Sequence, residues 1–489
     1  MRRILLTKFW EAAIGFWRSG RSAWFLTIAT LVVVFVNLYV QYRINVWNRD
    51  LFDALEKKDF GRVGLQALIF LPLTVANVSL AVAAIYARLT TQRKWRAWMN
   101  AHVLDRWITG GRSYQLQFVE GDHGNPEYRV AEDLRVSVDA PVDFGVGILQ
   151  AFLSAATFIG VLWFIGGALT IPGTEITIPG FLVIAAVVYA FVATGAMVAI
   201  GRRFVVVSEA KNEAEAAYRF AITRIREHGE SIALLGGEAE ERAGLDGKFQ
   251  NVLRRWRDHM MQHLRTTVVS QTSQTFVPVV PLLLCAPKYL ANEMSLGQVM
   301  QAASAFVTVQ IAFNWVVDNY PRLADWTASA RRVASLLVAL DRLDRCDLAE
   351  GARHIALGGG DGEDDDKALH LKNVSVTLDG GSAVVSEAEV EIRPGEKVLV
   401  EGESGTGKST LVRAIAGLWP WGSGEILVRP GSRLFFMPQR AYVPLGTLRR
   451  ATTYPSSPDE VDDDVVRKAL EEVGLGQFVD RLDEESSWD

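Results

Sequence analysis

The chain has only two cysteines in 489 residues, Cys285 and Cys346, which excludes a disulfide framework. Cys285 lies in an apolar run and Cys346 beyond the last of those runs. Neither sign of charge dominates: 51 Lys and Arg face 56 Asp and Glu, a net charge of −5. Nucleic acid is therefore not expected as a partner. No repeat of solenoid period is present. No small-residue cleavage site follows the first apolar run, and that run is too long for a signal peptide. The second to sixth runs contain no Asp or Glu, which argues against a proton relay inside a bilayer.

What the chain does have is length and apolar runs. Its 489 residues allow two or more domains. Hydrophobic residues make up 49% and charged residues still 22%, a mixture that fits part membrane and part soluble protein. Six stretches are long enough to span a bilayer as helices: 23–42, 66–87, 146–166, 180–200, 268–290 and 296–317. Trp24, Tyr42, Trp163 and Trp315 stand near their ends, as interfacial anchors do.

Loop charge gives an orientation. Arg2, Arg3, Lys8, Arg18 and Arg21 precede the first span. Arg88, Arg93, Lys94, Arg96, Arg106 and Arg112 follow the second; Arg202, Arg203, Lys211, Arg219, Arg224 and Arg226 follow the fourth. The loop after the third, "GGALTIPGTEITIPG", has no Lys or Arg. The positive-inside rule then places both termini in the cytoplasm. The mixed-charge loop after the first span fits this least well. Ahead of that span, "LLTKFWEAAIGFW" reads as a short interfacial helix or as an extension of the span.

The long segments 88–145 and 201–267 have helical periodicity. Ala217, Phe220, Ile222, Ile225, Ile232 and Leu235 fall near one broad face. Such helices carry the spans far from the bilayer at about 1.5 Å per residue, where their tips either meet a soluble domain or form a self-contained hairpin. The fifth span opens on a polar run, Ser270, Gln271, Thr272, Ser273, Gln274 and Thr275, and Pro278 and Pro281 should bend it. Gln298, Gln301 and Gln310 lie in the sixth. These polar groups serve either a translocation cavity or hydrogen bonds between helices. In "DHMMQH", His259 and His263 stand at i and i+4 but lack the Glu of a zinc helix, so no metal is expected there.

Residues 1–345 thus read as a six-helix membrane domain, 346–367 as a linker containing "LGGGDGEDDDK", and 368–489 as a separate soluble domain. In the last, "ALHLKNVSVTL" and "AEVEIRPGEKVLVEG" read as strands. The second runs into "GESGTGKST", with Gly402, Glu403, Ser404, Gly405, Thr406, Gly407, Lys408, Ser409 and Thr410. A helical pattern follows. This Gly-x4-Gly-Lys-Ser spacing in a strand–loop–helix context is a phosphate cradle: glycines let N–H groups close on phosphate oxygens and the helix N-terminus adds positive potential. Lys408 would reach the β- and γ-phosphates of a nucleotide, and Ser409, or alternatively Thr410, would ligate Mg²⁺.

"KVLVEGESGTGKSTLVRAIAGLWPWGSGEI" followed by "LFFMPQRAYVPLGTLRRATTYP" resembles the nucleotide-binding domain of ABC transporters. "NVWNRDLFDAL", "QRKWRAWMN", "YQLQ", "GNPEYRVAEDL" and "HGESIALLGGEAEER" resemble the SbmA/BacA-type membrane domain and its relatives, the peroxisomal fatty-acyl (subfamily D) transporters. The resemblance implies a six-span, exporter-type (type IV) membrane α-helical fold followed by an incomplete α/β P-loop ATPase domain. It implies that Gln439, in "MPQR", helps hold Mg²⁺, and that Glu230 and Gly236 belong to a coupling segment. It also implies a half-transporter in a bacterial inner membrane, pairing with a second copy among membrane lipid. The cargo would be peptide-like, fatty-acyl or cofactor-like. A proton-driven carrier with a vestigial nucleotide domain, or a nucleotide-binding product without transport, are the alternatives. The sequence departs from the family in lacking an aromatic for adenine in "VSVTLDGGSAVV", a signature motif, a Walker B strand, a catalytic Glu and a switch His. No catalytic residue is assigned. The chain is expected to stop about where the signature motif would begin, and to bind ATP without turning it over.

Overall fold

The structure is a computed structural model that describes residues 2–119, 125–170, 177–348, 355–359, 367–377, 383–403, 405–419, 421–432, 434–438 and 442–486. Ser404 and Gln439 lie outside the described residues. The chain divides into two compact units, Met1–Arg345 and Cys346–Asp489.

The first unit is helical. Helix α1 spans Arg2–Ser19, α2 Arg21–Glu56, α3 Phe60–Ile108 and α4 Leu134–Gly166. Then come α5 Phe181–Glu227, α6 Gly229–Leu235, α7 Glu238–Phe276, α8 Val279–Leu290 and α9 Leu296–Leu348. Six stretches among these are long and apolar enough to cross a membrane, and each overlaps one of the runs read from the sequence. The fifth is broken where Pro278 stands between α7 and α8, as a residue without an N–H requires.

Residues 2–19 form a helix of their own, set off from α2 by an extended Gly20. Phe9, Ala13 and Phe16 recur at helical spacing, and all three are buried. The approach to α3 is close: a Cβ at Gly15 would stand 2.4 Å from the Trp98 ring. Between α4 and α5, strands β1 (Ala168–Thr170) and β2 (Thr177–Pro179) pair antiparallel. Gly180 then turns the chain into α5 with φ +61°, and a Cβ there would stand 2.4 Å from the Trp163 ring.

Helix α9 is the central element of this unit. Ala302, Ala305, Phe306 and Val309 pack with Phe158 and Leu162 of α4, Leu182 and Ala186 of α5 and Cys285 of α8. The Cys285 thiol is buried and free. Farther along α9, Ala330, Val333, Leu336, Leu340 and Leu343 are also buried. The start of α9 is anchored by acids from the end of α2. Asp53 accepts from Gly297 N–H at 2.9 Å, and Glu56 from Leu296 N–H at 3.0 Å. Carboxylates there satisfy orphan donors and complement the helix dipole. Only glycine fits at 297, where a Cβ would meet the Arg49 carbonyl at 2.2 Å.

The second unit carries a four-stranded sheet of order β3-β6-β4-β5. These are β3 Ala356–Gly359, β4 Leu369–Thr377, β5 Ala383–Ile392 and β6 Gly422–Val428. Strands β4 and β5 are antiparallel, as are β4 and β6; β3 and β6 are parallel. The sheet thus begins at residue 356, inside the stretch read as linker. Helix α10 spans Lys408–Ile415, α11 Leu448–Thr453 and α12 Asp463–Glu472. Leu448, Val466, Leu470 and Leu482 form a small cluster around the last two.

One expectation fails here. Residues 397–400, "KVLV", were read as a strand running into the cradle, yet 396–403 belong to no strand. Val398, Leu399 and Val400 are 50%, 79% and 50% exposed. A central strand of a parallel sheet is held by ladders on both sides and by cover on both faces. No described segment pairs with these residues. The apolar segment Leu434–Met437 is in the same state, with Phe435 and Met437 largely exposed.

Candidate functional site

Gly405 and Gly407 both take left-handed backbone, φ +89° and +93°. A Cβ at Gly407 would stand 2.3 Å from Val384 Cγ1, so position, as well as φ, demands glycine. Gly407 ends the loop and starts α10: Thr410 N–H and Leu411 N–H both bond its carbonyl at 2.9 Å. Among the described residues no acceptor is recorded for the N–H groups ahead of Thr410 in this helix. They stand at the positive end of the helix dipole.

Inside the loop, Thr406 Oγ1 donates to the Glu403 carbonyl at 2.8 Å. Lys408 folds back over the same peptide, its Nζ donating to the carbonyls of Gly402 at 2.6 Å and Glu403 at 2.7 Å. The loop is thereby closed around its own lysine. Ser409 is exposed on the first turn of α10 and Thr410 is half-buried beside it. Free helix N–H groups, a cation and two hydroxyls suit a phosphate chain. A nucleotide held there would supply phosphates whose release can power work elsewhere. The structure thus brings Gly402, Glu403, Gly405, Thr406, Gly407, Lys408, Ser409 and Thr410 together in one turn.

The polar groups of the membrane region divide between two roles. Gln298 forms a reciprocal cap with Ser295 at the start of α9: its Oε1 accepts from Ser295 N–H at 2.9 Å, while Ser295 Oγ accepts from Gln298 N–H at 3.2 Å. Gln301 donates to Asn45 Oδ1 at 3.0 Å, and Asn45 donates to the Gln301 carbonyl at 3.1 Å. Gln310 donates to the Ala186 carbonyl at 2.8 Å. All three glutamines therefore cap or tie helices. In the polar run of the fifth span, Tyr189 Oη donates to the Ser273 carbonyl at 2.7 Å, while Gln271, Thr272, Gln274 and Thr275 stay exposed.

A cavity of about 510 Å³ opens among α2, α3, α4 and α9. Its polar lining is Gln41, Asn45, Asn77, Gln150, Ser154, Ser304 and Thr308, and among the described residues none that lines it is charged. Asn77, Gln150 and Ser154 have no hydrogen-bond partner among the described residues. A signal for this lining was present in the sequence: Gln41/Asn45, Gln150/Ser154 and Ser304/Thr308 are i,i+4 pairs on apolar helices.

The far end of α5 breaks at His228, and the short α6 follows. Gly236 closes it at φ +65°, with Gly236 N–H on Ala233 O and Gly237 N–H on Ile232 O. Glu230 lies exposed in its first turn. Much of the face expected to be apolar is not buried: Phe220, Ile222 and Leu235 are 71%, 44% and 86% exposed. His259 and His263 pack against Phe204, and no cluster of three or more metal-ligating side chains occurs among the described residues.

Comparison with known proteins decides the family. Residues 11–290 match the model for ABC transporter transmembrane region 2, and residues 385–486 that for ABC transporter. The chain belongs to the ABC transporter family. Within it, the chain is 24% identical over 493 residues to the inner membrane ABC transporter ATP-binding protein YddA of Escherichia coli, covering 99% of this chain and 85% of that protein. A Synechocystis ABC transporter ATP-binding protein is 29% identical over 95% of this chain and 69% of its own. Human ATP-binding cassette sub-family D member 3 is 24% identical over 94% of this chain and 72% of its own. An ABC transporter domain of this kind implies use of ATP.

Proposed function

We propose that this chain is one half of an ATP-driven transporter of a bacterial inner membrane, with two copies forming the working unit. The observation that carries the reading is the fusion, on one chain, of six spanning helices with a glycine-built phosphate loop. Residues 1–345 form the membrane domain and 368–489 the nucleotide-binding part. Lys408 leaves the Gly402 and Glu403 carbonyls for the β- and γ-phosphates of ATP. Ser409, with Gln439, holds Mg²⁺, and both termini face the cytoplasm. The exposed apolar end of α5 and α6, with Glu230 and Gly236, receives the second copy's nucleotide-binding part. The neutral cavity lined by Gln41, Asn77, Gln150 and Ser154 supports passage of a substrate rich in uncharged hydrogen-bonding groups, which fits a peptide-like cargo better than a fatty-acyl one.

The test is Mg-ATP binding by the purified chain in lipid nanodiscs. Loss of one charge-assisted contact costs about 2 kcal/mol, so Lys408→Ala should weaken binding roughly thirty-fold. Unchanged affinity in that variant would overturn the nucleotide assignment.

A further inference from the structure

A second cavity, of about 400 Å³, opens in the groove between α5 and α7. Three arginines and one aspartate line it: Arg203 from α5, and Arg255, Asp258 and Arg265 from α7. Much of the remaining lining is apolar, with Val206, Val207 and Met261 in it. Asp258 stands one turn from Arg255, the spacing of a helical ion pair, yet none of the four charges has an ion-pair partner among the described residues. The cations outnumber the carboxylate, so the groove is positive. Contacts between the helices set its register. Gln262 donates to the Ile200 carbonyl at 2.5 Å, Phe204 packs against His259 and His263, and Lys211 Nζ lies 4.9 Å from the Trp256 ring. Arg203 is thereby level with the turn of α7 between Gln262 and Arg265. Arg255 lies farther out, about 15 Å along the axis from Arg265.

The place of this groove along the spans says what the cations meet. The apolar run of α5 ends at residue 200 and that of α7 begins at residue 268. Arg203 and Arg265 therefore stand on the polar side of the edge, each within about 5 Å of it along its helix. That is the depth of lipid headgroups. Guanidinium groups present paired donors that match phosphate oxygens, and a basic pocket between spans at this depth selects lipids of negative charge. A soluble phosphate would use the arginines alone. Here apolar surface continues inward from them: Val268, one turn deeper than Arg265, is 66% exposed, and Val198 on α5 is exposed as well. This favours a lipid. We propose that the groove binds the headgroup of an anionic phospholipid, its phosphate held between Arg203 and Arg265 and its acyl chains running along Val198 and Val268. The site lies at the root of the α5–α7 hairpin and is independent of the nucleotide reading.

The experiment is native mass spectrometry of the chain in mild detergent, equilibrated with equal amounts of phosphatidylglycerol and phosphatidylethanolamine. Wild type should retain one phosphatidylglycerol per chain in preference to phosphatidylethanolamine. Arg203→Gln with Arg265→Gln should cut that retention by about five-fold per charge. Arg254 and Arg257 are exposed on the same stretch of α7 but do not line the cavity, so Arg254→Gln with Arg257→Gln should leave retention nearly unchanged. Added inorganic phosphate should not displace the lipid. Circular dichroism checks that both double variants are as helical as wild type. Equal losses in the two double variants would overturn the site, because any cation near the headgroups would then serve. Wild type that retains the two lipids equally would overturn it too. So would wild type that keeps no phosphatidylglycerol, the result expected where a second copy covers the groove, or that exchanges it for inorganic phosphate.

Discussion

The two ends of helix α9 are held by different chemistry. In its apolar half, between the acid-capped first turn and Trp315, the polar ties are neutral: Gln301 with Asn45, Gln310 with the Ala186 carbonyl. In its far half ion pairs join neutral ties such as Trp326 Nε1 on the Ser137 carbonyl. Arg332 grips Asp133 through two bonds of 2.8 and 2.5 Å, and Arg106 bridges Asp341 and Asp344 at 2.6 Å each. Desolvation explains the division. An amide pair can be buried in hydrocarbon for a modest cost, whereas an ion pair needs nearby water or several hydrogen bonds to survive. One continuous helix therefore changes its fastening where its solvent changes.

The ionic end should break hardest. Asp133 is 1% exposed, while Arg332 keeps partial access to water. Arg332→Ala thus strands a buried carboxylate and should cost about 3–5 kcal/mol. Asp133→Asn leaves a cation that water can still reach, and should cost about half of that. Thermal unfolding in detergent micelles measures both; equal losses would mean that Asp133 is hydrated in solution. The neutral end should yield less. Asn45→Leu should cost about 1 kcal/mol, the order found for hydrogen bonds between membrane helices. Combining it with Gln301→Leu should recover most of the loss, because no buried amide is then left unpaired. Losses that simply add would exclude the pair as a unit.

The same contrast explains what could be read in the sequence. All six spans were legible, because about 20 apolar residues have few other uses and each helix satisfies its own backbone. The turn before α10 was legible for the opposite reason: the left-handed Gly405 and Gly407 and the folded-back Lys408 are set within one turn. What escaped depends on partners far away in the chain. Gln301 is read as a cavity residue or as a tie until Asn45, 256 positions earlier, is placed beside it. The π-helical turn at Arg129–Asp133, which turns both of those charged side chains inward, has no local pattern to announce it. The "KVLV" stretch failed similarly. Its apolar character was visible, but strand formation requires ladder partners that no described residue provides.

The start of α9 gives the smallest and most local comparison. Two acids from the end of α2 cap it. Asp53 is the deeper, on Gly297 N–H, and Glu56, on Leu296 N–H, is the more exposed. Capping by an acid is worth about 1 kcal/mol, and a dipole contribution adds only tenths at an exposed position. Asp53→Ala should therefore lower thermal stability by about 1 kcal/mol. Glu56→Ala should lower it by less than half of that, and added salt should erase most of the Glu56 effect while leaving that of Asp53. Equal salt dependence at both positions would show that the two carboxylates act as surface charges rather than as hydrogen-bonding caps. The tie between α2 and α9 would then rest on Asn45 and Gln301 alone, and the close approach at Gly297 would serve packing rather than the cap.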